Sequence, residues 1–135
     1  MGKIMDTKSK HLLIELFDCH KTTLQDQTKI ETLLIQAAKA ANVTIVQSVF
    51  HKYFPQGVTG VVIIEESHLS IHTWPEYGYA SVDFYTCGKG IPEKALDIIQ
   101  SGLIAGRTEV ICVDRGQSLT DTAMSLRYHR HAMKN

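Results

Sequence analysis

The sequence has no surplus of either charge. Lys and Arg number 14, Asp and Glu number 14, and the formal net charge is zero. Nucleic-acid binding through backbone phosphates needs a basic excess or stripe, and attraction to an anionic lipid surface needs one too. Long hydrophobic runs are also missing. The longest, such as Val61-Val62-Ile63-Ile64, fall far short of the roughly 20 residues that span a bilayer. The opening Met-Gly-Lys-Ile-Met-Asp lacks the apolar stretch of a secretory signal. Cysteine is scarce: Cys19, Cys87 and Cys112 are an odd number with no metal-type pair spacing. A reducing, cytoplasmic setting without a disulfide framework is expected. No internal repeat, linker or low-complexity segment divides the chain. With 44% hydrophobic residues it has the makings of one folded domain over residues 1–135.

Periodicity places the elements. A strand is expected over 11–17. Ile30, Leu33, Leu34, Ala37, Ala38 and Ala41 then form one stripe of a 3.6-residue period, with Asp26 as N-cap and Asn42 as stop. Strands follow over 43–54, 58–65, 67–74 and 79–87, punctuated by Pro55-Gln56-Gly57 and Pro75-Glu76-Tyr77-Gly78. Pro92 opens a second helix carried by Ala95, Leu96, Ile98, Ile99 and Leu103, and a last strand covers 108–113. The end, with its basic Arg127-Tyr128-His129-Arg130-His131, reads as a solvated, mobile tail. Short-looped consecutive strands with two crossover helices predict an α+β fold: a two-layer domain, an antiparallel sheet with helices on one face.

The other face then carries unusual side chains. Tyr79, Ser81, Asp83, Tyr85 and Cys87 alternate with Ala80, Val82 and Phe84, and His68, Ser70, His72 and Trp74 share a side of their own strand. Such a face is either solvated or a site. No metal ligand set is expected: His68 and His72 in a strand stand about 13 Å apart, too far for one ion. No G-x-S-x-G elbow supports a Ser-His hydrolase. Cys87 lies on the polar face, where a thiol is either reactive or merely packed. Cys19 and Cys112 read as structural.

The string Glu66-Ser67-His68-Leu69-Ser70-Ile71-His72-Thr73-Trp74-Pro75-Glu76-Tyr77-Gly78-Tyr79-Ala80, with Asp83 and Thr86-Cys87-Gly88, resembles the short prokaryotic S-adenosylmethionine decarboxylases. Phe50-His51-Lys52, Pro55-Gln56-Gly57-Val58 and Gly60-Val61-Val62 are similar to that family as well. The resemblance spans about residues 10–88 and thins after Gly90. It implies a proenzyme that cuts itself between Glu66 and Ser67, giving chains 1–66 and 67–135, and turns Ser67 into a covalent pyruvoyl cofactor. It makes His72 the base of that processing; an imidazole suits the role because it titrates near neutral pH. It makes Cys87 the proton donor of the decarboxylation. The substrate, S-adenosyl-L-methionine, would form a Schiff base with the pyruvoyl group, which acts as an electron sink. The product serves as aminopropyl donor for spermidine synthesis.

The resemblance also implies substrate contacts. Tyr53 would stack on adenine where the family commonly has phenylalanine; as a residue it could equally be a core strand aromatic. Glu76 would accept from the ribose hydroxyls, or be plain surface. Thr59 stands where the family usually has serine, a hydroxyl that supports processing. The implied assembly is a homodimer whose sheets meet face to face in an α/β/β/α sandwich. Two alternatives stay open: an arginine or ornithine decarboxylase using the same pyruvoyl machinery, and an uncleaved, non-catalytic regulatory homologue.

Overall fold

The structure is a computed structural model that describes residues 7–117 and 124–133; the first residues and part of the expected tail lie outside the described residues. Among the described residues, seven strands form one antiparallel sheet in the order β2-β3-β4-β5-β1-β6-β7. They are β1 (Ser9–Phe17), β2 (Ile45–Lys52), β3 (Val58–Ile64), β4 (Ser67–Trp74), β5 (Tyr79–Cys87), β6 (Arg107–Arg115) and β7 (Ser125–Met133). The helices are α1 (Lys21–Leu24), α2 (Gln27–Ala40) and α3 (Glu93–Gly102). No described helix is long and apolar enough to cross a membrane.

The helices form as their sequence dictates. The Asp26 carboxylate accepts from the Lys29 N–H at 3.1 Å, which satisfies one orphan donor of α2 and contributes about 1 kcal/mol. Asn42, just past the helix, takes the left-handed conformation with φ 62°. Ile30, Leu33, Leu34, Ala37 and Ala38 of α2, with Ala95, Leu96 and Ile99 of α3, are buried. They pack on one face of the sheet, against Leu12, Ile14 and Leu16 of β1, Leu69 and Ile71 of β4, and Ala80, Val82 and Phe84 of β5. Each large side chain so buried contributes about 1.5–3 kcal/mol of hydrophobic free energy. Gly60 of β3 lies on this side because the Phe50 ring of β2 covers it; a Cβ there would stand 2.0 Å from ring carbons. The expected two-layer fold is thus what the chain adopts.

Two elements differ from expectation. Residues 21–24 make a single turn of helix, α1, too short to leave a periodic signal. The larger difference is β7. The expected mobile tail is instead a strand paired antiparallel with β6, from Asp114↔Ser125 to Arg107↔Met133 with a bulge at Cys112/Val113. Tyr128 anchors it on the helix side, its hydroxyl donating to Glu93 at 3.1 Å, and Arg127 pairs with Asp114 at 2.8 Å. A charged edge strand is how sheets discourage further pairing, and that same charge hid the strand in the sequence.

Candidate functional site

The face opposite the helices is open, and the strand register assembles it. In β4 and β5 the cross-strand pairs His68↔Tyr85, Ser70↔Asp83, His72↔Ser81 and Trp74↔Tyr79 all project there. His11, Leu13, Glu15 and Phe17 of β1 and Thr59 and Ile63 of β3 join them. A shallow hollow of about 530 Å³ lies over Leu13, Glu15, His72, Ser81, Asp83 and Ile111.

At one end of this face is a two-residue hairpin. Ile64 pairs with Ser67, so Glu65 and Glu66 form the turn between β3 and β4. Its backbone is held from two sides. The Glu65 N–H donates to the Thr44 carbonyl at 2.9 Å, and the Thr44 N–H donates to the Glu66 carboxylate at 3.1 Å. The Glu66 carbonyl accepts the Cys87 N–H at 3.3 Å and the Cys87 thiol at 3.4 Å. Ser67 has φ 152°, a sparsely populated conformation for a residue with a side chain. Glu66, Ser67 and Cys87, expected together from sequence, are brought together.

At the other end sit the remaining candidates. Thr59 pairs with His72 across β3 and β4, and its hydroxyl lies 3.1 Å from His72 Nδ1. Glu76 is exposed in the single turn of 3-10 helix Pro75–Tyr77, which Gly78 ends at φ 62°. Tyr53 lies in the β2–β3 connection, its N–H bonded to the Gly57 carbonyl at 2.8 Å and its ring 4.6 Å from that of His51. Tyr53 is 48% exposed, so it is not a core aromatic. Beside His72 an aromatic row crosses the sheet: Trp74 stacks on Tyr79 at 5.1 Å, Tyr79 on Phe17 at 5.4 Å, and Arg107 lies over Phe17 at 3.9 Å.

The two ends are far apart. Ser67 and His72 stand five residues apart on one strand, about 16 Å by its rise. The chain does not bring His72 to its own Ser67.

Between the ends lies a polar cluster that sequence reasoning did not assemble. Asp83 accepts from His11 Nε2 at 2.6 Å, His68 Nε2 at 3.0 Å and the Ser70 hydroxyl. Burial works to raise the Asp83 carboxyl, but the hydrogen bonds from His11, Ser70 and His68 hold it well below the usual carboxylate range. Arg115 reaches His11 Nδ1 at 3.0 Å and stacks over Tyr85 at 4.5 Å. His11 and Asp83 are 72 positions apart, so only the pairing of β1 with β5 could have revealed them. Burial pushes the Cys19 thiol up to about 12, with Asp18 adding to it, and raises Cys112 as well. Both are buried, inert thiols, as expected of structural cysteines.

Comparison with known proteins meets this geometry. The family profile of S-adenosylmethionine decarboxylase matches residues 10–116. The chain is 46% identical over 113 residues to an S-adenosylmethionine decarboxylase proenzyme of Methanococcus vannielii, covering 83% of this chain and 93% of that protein. It is 50% identical over 113 residues to S-adenosylmethionine decarboxylase proenzyme 1 of Bacillus cereus, covering 83% and 87%. Among solved structures, the adenosylmethionine decarboxylase of Aquifex aeolicus aligns with a TM-score of 0.78 and 36% identity, over 88% of this chain and 99% of that one. A Trypanosoma brucei AdoMetDC monomer, 16% identical, shares the fold at a TM-score of 0.59 over 77% of this chain and 45% of its own. With a matching core, an open polar sheet face and a profile match spanning β1 to β6, the chain belongs to the S-adenosylmethionine decarboxylase family.

Proposed function

We propose that this chain is a proenzyme that cuts itself between Glu66 and Ser67 and then decarboxylates S-adenosyl-L-methionine, releasing carbon dioxide. The observation that carries the processing step is the Glu66 carbonyl. Its oxygen already faces two donors, the N–H and the thiol of Cys87. When the Ser67 hydroxyl adds to the carbonyl carbon, that oxygen takes up negative charge where the donors point. Breaking the Glu66–Ser67 C–N bond converts amide to ester. Removal of the Ser67 α-proton then breaks the Cβ–O bond, frees the Glu66 carboxylate and leaves a dehydroalanine at residue 67, which tautomerises to an imine; water adds to it and ammonia leaves, giving the pyruvoyl ketone. The unusual φ of Ser67 raises the energy of the uncut turn, so part of the barrier is met before reaction.

Residue 67, half-buried at the start of β4, is fit to carry the resulting pyruvoyl group, since its neighbours are a carbonyl-binding N–H and a thiol. That group supplies an electron sink for the charge left when carbon dioxide departs. Cys87 is the proton source nearest to it and delivers the proton to the substrate carbon. Thr59 orients the His72 imidazole through its hydroxyl. Tyr53 offers a π face for the adenine and Glu76 a carboxylate for the ribose.

The separation of about 16 Å between Ser67 and His72 makes a second copy necessary. Two open faces set together in opposite senses bring His72, Thr59, Tyr53 and Glu76 of one copy to Ser67 and Cys87 of the other. The exposed apolar residues of that face, Leu13, Val49, Ile63 and Trp74, support such a homodimer of α/β/β/α form.

Intact mass tests the processing: active protein is expected as chains 1–66 and 67–135, and a preparation that decarboxylates while remaining a 15.1 kDa chain overturns it. Carbon dioxide release from S-adenosylmethionine, arginine and ornithine side by side tests the substrate, with S-adenosylmethionine expected to dominate.

A further inference from the structure

Strand β7 follows the stretch that matches the family, and it carries chemistry that the decarboxylation does not use. His129 and His131 are alternate residues of one strand, so both imidazoles project from the same side, with ring centroids 5.0 Å apart. Glu109 of β6 is the register partner of His131. One Glu109 oxygen lies 3.2 Å from His129 Nε2 and the other 3.1 Å from His131 Nδ1. One ligand atom from each of the three side chains lies within 4.8 Å of the other two.

These spacings suit a metal ion. Zinc bonds imidazole nitrogen and carboxylate oxygen at close to 2.1 Å, and tetrahedral angles then separate neighbouring ligand atoms by about 3.4 Å. The two nitrogen–oxygen distances are already within a few tenths of an ångström of that edge. Two neutral imidazoles and one carboxylate leave a divalent ion with a net single positive charge and positions open to water. Imidazole donors select zinc, nickel and copper over magnesium and calcium. Arg107, on the same side of β6 as Glu109, leans over Phe17 of β1, on the side of β6 away from β7.

The other imidazole–carboxylate cluster, His11, His68 and Asp83, is less suited: Asp83 is already shared by both imidazoles and Ser70, and the Arg115 guanidinium, 3.0 Å from His11 Nδ1, is a positive charge that opposes a cation there.

We infer that Glu109, His129 and His131 form a binding site for a zinc-class divalent metal ion that clasps the edge strand β7 to β6. It departs from the expectation that the chain holds no metal ligand set. The side chains of His129 and His131 are 41% and 59% exposed in the single chain, so the ion exchanges with solvent rather than sitting in a locked structural centre.

The test uses the full-length protein, stripped with chelator and titrated with zinc sulfate against a chromophoric zinc indicator. One zinc per chain is expected. His129→Ala and His131→Ala are each expected to weaken binding by at least about 10-fold, and Glu109→Gln by several-fold. His131→Gln keeps a hydrogen-bond donor for Glu109 and removes the metal ligand, so it separates lost binding from lost folding; it too is expected to bind weakly. Zinc is expected to slow amide exchange across 124–133 in the parent and not in His131→Gln. Decarboxylation of the His131→Gln variant is expected to match the parent. Zinc binding no tighter than millimolar, equal binding by the parent and the His129→Ala/His131→Ala double variant, loss of binding in His68→Ala instead, or unchanged exchange over 124–133 overturns the site.

Discussion

The two ends of β4 differ in what holds them. The Ser67 end is a backbone device: a two-residue turn, a strained φ and a carbonyl gripped by Cys87. The His72 end is a side-chain device: an imidazole set by Thr59, an aromatic row and an exposed carboxylate at Glu76. One end offers the bond proposed to break. The other offers the imidazole proposed as its base and a binding surface. The proposed function therefore needs two open faces, not one.

The most severe way to break the comparison is Ser67→Ala. It removes the attacking hydroxyl, so the protein is expected to stay one chain by mass and to lose decarboxylation to background. The sharpest way is to mix variants. Ser67→Ala keeps an intact His72 end, and His72→Ala keeps an intact Ser67 end. If sites form between copies, co-expressing the two inactive variants restores one working site per mixed dimer, about a quarter of parent activity at random pairing. Activity that stays at background would mean each site lies within a single chain.

Cys87→Ala should affect both steps unequally. Cleavage is expected to slow by about 10-fold, because the backbone N–H still serves the Glu66 carbonyl. Turnover of the cleaved fraction is expected to fall by about 100-fold or more, because the proton donor is gone. Equal losses would separate the thiol from one of its two roles, read by following mass and carbon dioxide release on the same samples.

The smallest effect is expected midway along the strand. Asp83→Asn removes a charge that accepts from His11, His68 and Ser70, and is expected to destabilise the fold by about 2 kcal/mol at neutral pH. Since the Asp83 carboxyl is held below its ordinary value, its contribution is present above about pH 4 and fades as the solution is acidified through the lowered value. Denaturant melts of parent and variant should therefore converge on acidification, and divergence would show that the cluster does not favour the carboxylate.

Much of this was legible in the sequence. The alternation of Ala80, Val82 and Phe84 with Tyr79, Ser81, Asp83, Tyr85 and Cys87 gave both faces of β5, because a half-buried strand writes its burial at period two. The α2 stripe and the Asp26 cap were equally local signals. What was hidden is non-local or masked by charge. His11 meets Asp83 through a pairing across the chain, and β7 buries too few apolar side chains to announce itself. The separation of Ser67 from His72 was readable by the strand-rise arithmetic that separates His68 from His72, since the two are one residue further apart. Resemblance to a family names a residue's role without saying which copy of the chain it serves.

The β3–β4 turn has one last consequence, for the life history of the molecule. A cut at a hairpin tip severs the covalent thread where six ladder pairs, from Thr59↔His72 to Ile64↔Ser67, already hold the strands together. The neighbouring strands of one sheet then belong to two polypeptides, and a local contact becomes an intermolecular one. Unfolding acquires a direction in time. The parent chain folds by first-order search, whereas the cut pair must find each other by diffusion, with an efficiency that depends on concentration. Under the proposed cleavage, folding must therefore precede cutting, because the turn to be cut is assembled only once β3 and β4 have paired.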